Sequence, residues 1–76
     1  MSKQEQLIEY ITQDIVCFIM EDEGIDMISA MHRFYTSVTF EKLSDIETGL
    51  YLDSSASVYD MYLNECRHGK LVQNEI

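Results

Sequence analysis

Apolar residues recur at steps of three and four along almost the whole chain, the spacing that lays a stripe down one side of an α-helix. Leu7, Ile8, Ile11, Ile15, Phe18 and Ile19 make the first stripe and predict a helix from Lys3 to Asp22. Ser2 and Glu5 stand at the spacing of a capping box, in which each side chain satisfies the other residue's free backbone donor. Gly24 is the expected stop. A second helix is predicted over Met27 to Thr36, with Asp26 as N-cap, Ile28, Met31, Phe34 and Tyr35 facing inward, and Met27 at the edge. Ser37 to Thr39 reads as a break, with Thr39 capping a short helix from Phe40 to Glu47 that Gly49 ends.

Leu50, Tyr51 and Leu52 are too few for an unpartnered strand and read as a connection whose side chains plug the core. Asp53, Ser54 and Ser55 supply turn and cap chemistry. A last helix is predicted from Ala56 to His68, with Val58, Tyr59, Tyr62, Leu63 and Cys66 inward and Met61 near the edge. Gly69 is its expected stop. Leu71, Val72 and Ile76 follow as an apolar tail that packs back on the bundle or crosses to a second copy. The fold expected is therefore all-α, a small bundle of three main helices plus one short helix, with residues 1–76 as a single domain.

At 76 residues such a bundle has a thin stability margin, and self-association as a homodimer is the extra source of stability expected. The longest apolar run, Ile15 to Met20, is far short of a bilayer span, so no membrane insertion is expected. No stretch resembles a secretory leader. Cys17 and Cys66 therefore read as reduced thiols of a cytoplasmic protein, both in the core.

Charge narrows the function further. Fourteen acidic residues against five basic ones give a net charge of −9. A field of that sign repels nucleic-acid phosphates and anionic membranes and attracts a basic protein. Glu21, Asp22 and Glu23 crowd the end of the first helix, where negative charge opposes the helix dipole. With Asp26 they lack the residue pattern of a calcium loop and read either as a solvated turn or as a patch for Lys and Arg of a partner. Tyr59 and Tyr62 fit either boundary packing or a binding surface. The candidate partner-binding residues are thus Glu21, Asp22, Glu23, Tyr59 and Tyr62.

The chain has no nucleophile elbow, no phosphate-cradling glycine loop and no spaced metal ligands among Cys17, His32, Cys66 and His68. Binding rather than catalysis is expected, with no cofactor. The alternative is an acidic nucleic-acid mimic that inhibits a DNA- or RNA-binding protein; it needs exposed carboxylates regularly spaced along one edge.

The stretch Glu47-Thr48-Gly49-Leu50-Tyr51, then Ser54 or Ser55, Val58-Tyr59-Asp60 and Glu65, resembles a family of short bacterial helical proteins. In that family an E-T-G-L-Y segment leads into a final amphipathic helix. Ala30-Met31-His32-Arg33-Phe34-Tyr35 fits the family's A-M-x-x-F-Y helix, so the likeness covers most of the chain. The family has no assigned activity. The resemblance implies a small helical accessory protein, and the nearness of some similar proteins to toxin–antitoxin genes implies an antitoxin-like role.

Overall fold

A computed structural model describes residues 2–68, with the side chain of His68 outside that description. These residues form an all-α bundle with no strand: α1 (Lys3–Glu23), α2 (Met27–Tyr35), α3 (Val38–Ser44) and α4 (Ser55–His68). Two single 3-10 turns, Ile46–Thr48 and Leu50–Leu52, join α3 to α4. The expected Gly69 stop and the apolar tail of Leu71, Val72 and Ile76 lie outside the described residues.

Local chemistry sets most of the ends. The Ser2 and Glu5 capping box forms, with the Glu5 N–H donating to Ser2 Oγ at 3.2 Å and the Ser2 N–H donating to Glu5 Oε1 at 3.3 Å. Gly24 ends α1 in the left-handed region at φ 65°, a conformation that costs an L side chain roughly 1–2 kcal/mol. Gly49, at φ 69°, separates the two 3-10 turns. Asp26 caps α2 as expected. The predicted cap of α3 is corrected by two residues: Ser37 Oγ accepts the Phe40 N–H at 3.1 Å, and α3 starts at Val38 rather than Phe40. Thr39 is buried instead. The predicted run to Glu47 is also broken, because Asp45 leaves the helical region and Asp45 Oδ1 accepts the Glu47 N–H, opening a 3-10 turn.

Ile11, Ile15, Val16 and Ile19 of α1 meet Ala30 and Phe34 of α2, Leu43 of α3, Leu50, and Val58 and Tyr62 of α4 in one core. An aromatic string ties all four helices together. Phe18 contacts Tyr59 at 5.1 Å, Tyr59 stacks on Tyr62, Tyr62 meets Phe34 edge-on, and Phe34 meets Phe40 at 5.4 Å. The string ends where Tyr35 leans on Phe40 at 4.9 Å. Of the 50–52 connection only Leu50 fills the core; Tyr51 is half-buried and Leu52 is exposed.

Several inward assignments are corrected. Cys17 and Cys66 are both exposed free thiols. Cys17 falls between buried Ile15 and Ile19, and two residues of helix turn it about 200° from either, onto the opposite face. Ile28 is 71% exposed because α2 turns its Ala30 and Phe34 side to the core. Ala30 is fully buried against that core.

A side chain of α4 also ties down the start of α3. The Glu65 carboxylate of α4 reaches the N-terminus of α3, accepting the Val38 and Thr39 N–H groups at 2.9 Å each and the Thr39 hydroxyl at 2.8 Å. It adds negative charge where the α3 dipole favours it.

Candidate functional site

The acidic end of α1 comes first, because the sequence singles it out. Its three carboxylates point apart. Glu23 pairs with Arg33 of α2, Oε1 to Nη1 at 2.8 Å. Asp22 accepts the Tyr59 hydroxyl of α4. Glu21 is exposed on the outer face. The conflict with the α1 dipole is thus relieved from two sides, by a cation from α2 and a phenol from α4. The Arg33–Glu23 pair is solvated, so it contributes at most about 1 kcal/mol.

Tyr62, a candidate for partner binding that the helical spacing also turns inward, is a core residue at 3% exposure. Its ring is held between Phe34 and Tyr59, which leaves no face for a second protein. Tyr59 is half-buried, with its hydroxyl committed to Asp22. The five residues therefore do not form one exposed patch.

Other carboxylates also serve the fold. Asp14 Oδ2 accepts the Ser55 hydroxyl at 2.6 Å, Asp26 and Asp45 cap their turns, and Glu65 holds α3. On α1, Asp14 and Asp22 turn toward α4 while Glu23 pairs with α2 and Glu9 lines the α1–α2 seam, so these carboxylates do not make one row along one edge. No three or more His, Cys, Asp or Glu side chains gather for a metal ion among the described residues. Nor is any described helix long and apolar enough to cross a membrane.

The exposed apolar surface lies elsewhere. Along the α1–α2 seam runs a groove of about 440 Å3, walled by Val16, Cys17 and Met20 on α1 and by Met27, Met31 and Tyr35 on α2. A second hollow of about 510 Å3 continues it past Ile8 and Phe40 to Glu5 and Ser44. The two share Glu9, Thr12 and Tyr35, so they form one furrow with Tyr35 at its middle. Met27 is 55% exposed and Tyr35 46%. Glu5 and Glu9 edge the α1 side.

No family model, curated protein or solved structure matches this chain. The furrow was missed in the sequence, although a signal was present: α2 carries Met27, Ile28, Met31 and Tyr35 besides the Ala30 and Phe34 that nine residues of helix bury. That surplus marks a second apolar face.

Titration follows from the same contacts. Burial, then the hydrogen bond to Asp22 and its charge, pushes the Tyr59 phenol well above its ordinary range. Burial, then the Cys66 thiol, raises Tyr62 likewise. Hydrogen bonds from the Ser29 side chain and backbone hold the Asp26 carboxyl below its usual value. Raised phenols favour the folded state while neutral, so their contribution is whole below the unfolded value of about 10 and is lost as pH climbs through the folded values. The lowered Asp26 acts at the other end: its contribution is present above the unfolded carboxyl value and is lost as pH falls through the folded one. The urea midpoint should therefore drop above pH ~10 and below pH ~4, and Tyr59→Phe should flatten the alkaline arm. An alkaline arm identical in Tyr59→Phe would show that the phenol is not coupled to folding.

Proposed function

We propose that this chain is a small acidic protein–protein interaction module, an accessory or antitoxin-like partner of a basic protein. The observation that carries the reading is the methionine-walled furrow on a domain of net charge −9. Methionine is flexible and polarizable, and it recurs on surfaces that adapt to another protein. Buried apolar area would supply the affinity, and the opposite charge would speed the encounter and select against acidic partners. The family resemblance of the E-T-G-L-Y region supports the accessory role. The reading includes work in a reducing cytoplasm, where Cys17 and Cys66 persist as thiols. It assigns no catalytic step and no cofactor.

The test is recovery of the protein at its native abundance, with the mass and identity of its complexes determined. A stoichiometric complex with a basic protein, loosened as salt is raised, is the expected result. A chain that travels alone, or in a complex indifferent to salt, contradicts the reading.

A further inference from the structure

We infer that the furrow takes a basic amphipathic α-helix, its apolar stripe on Met27, Met31 and Tyr35 and its Lys or Arg residues toward Glu5 and Glu9. This rests on the interaction-module reading above and adds the partner's shape and the place where it docks. Length comes first. From Glu5 to Met20 the furrow follows α1 for about 22 Å, the length of about four helical turns. An extended peptide would need a sheet edge with unpaired backbone groups, and the described residues contain no strand to offer one. A polyproline segment calls for ridges of aromatic rings, whereas this furrow has Tyr35 and Phe40 among methionine and aliphatic walls. Side chains at i, i+3, i+4 and i+7 of a helix match an apolar trough flanked on one side by carboxylates.

Charge chooses between a foreign helix and a second copy. A second copy would bring −9 against −9 and lay Glu5 and Glu9 near like charge. A cationic helix instead meets those carboxylates favourably. The acids of this edge thus select the occupant, while the methionines bind it.

The probe is a synthetic peptide of about 15 residues, Leu on one helical face and Lys on the other, beside a scrambled peptide of the same composition. Binding to the full chain is followed by fluorescence anisotropy. The amphipathic peptide should bind saturably and about tenfold or more tighter than the scrambled one. Met27→Asp and Cys17→Asp, both at exposed positions, should each weaken it by about tenfold, since one lost apolar contact of this size corresponds to that factor. Each substitution adds charge of the sign that attracts the peptide, so a loss reads the apolar contact. Ile46→Asp, exposed on a 3-10 turn outside the furrow, should leave binding unchanged. Equal affinity for the two peptides, or undiminished binding in the furrow variants, overturns the inference. If a salt-sensitive basic partner is nevertheless recovered, the module reading stands and only the furrow falls. A free chain that sediments as a dimer and becomes a monomer on Met27→Asp also overturns it, because the occupant is then a second copy.

Discussion

Replacing Phe34 by alanine should remove a large share of the stability of this protein. Phe34 is fully buried at the point where α2, α3 and α4 meet, with Phe40 and Tyr62 both edge-on to its ring. Truncating a buried phenylalanine costs about 3–5 kcal/mol. A domain of this length holds roughly 4–11 kcal/mol in all. The variant should therefore lose much of its helical dichroism in urea concentrations that leave the parent folded, and at the low end of that range it unfolds in plain buffer. Phe34→Leu, which keeps most of the volume, should cost about 1.5 kcal/mol and stay folded. A loss under about 1 kcal/mol for Phe34→Ala would mean that the aromatic string does not anchor the bundle.

Glu65→Ala should be the most costly single change among the carboxylates, at about 2–3 kcal/mol. Three donors converge on this one side chain, two of them backbone groups at the start of α3. Hydrogen bonds to a charged group each contribute about 1.5–3 kcal/mol, but these share one carboxylate and lie partly in water, so they do not add. Glu65→Gln keeps an acceptor and loses the charge that favours the helix N-terminus, and should cost about 1 kcal/mol. Equilibrium urea unfolding gives both values. The Val38 and Thr39 amide protons should move in the NMR spectrum of each variant while those of α1 hold still. A Glu65→Ala variant within about 0.5 kcal/mol of the parent would show that α3 is held by Ser37 and core contacts alone.

These two side chains also mark how far the amino-acid sequence could be read. Phe34 was visible as a core residue because its neighbours recur at helical spacing. Glu65 stood out only in the E-T-G-L-Y resemblance, because the donors it serves lie 26 and 27 residues away. The pattern is general in this chain. The Ser2–Glu5 box, the Gly24 stop and the Asp26 cap are chemistry completed within a few residues, and they were legible. The α3 boundary differs by two residues because Ser37 and Thr39 are both competent caps, and the choice follows from Glu65 drawing Thr39 inward.

Orientation was harder to read than helicity. In α2 nearly every candidate inward residue is apolar, so spacing alone does not say which arc of the helix faces α1. Ala30 decides it, and a small residue adds little to a hydrophobic pattern. Once Ala30 faces inward, Ile28 is turned out and Met27 and Met31 line the furrow. The acidic end of α1 was conspicuous in sequence, yet Asp22 and Glu23 are tied to Tyr59 and Arg33. The conspicuous charges stabilise the fold, and the less conspicuous Met27 faces solvent.

The most direct measurement is a salt series on the complex recovered at native abundance, with the partner's contact residues located by cross-linking. The expected outcome is a basic protein whose dissociation constant rises steeply with salt, with cross-links falling beside Met27 and Tyr35. A partner that is acidic, or one held as tightly at high salt as at low, would contradict the reading of this domain as an acidic binding module.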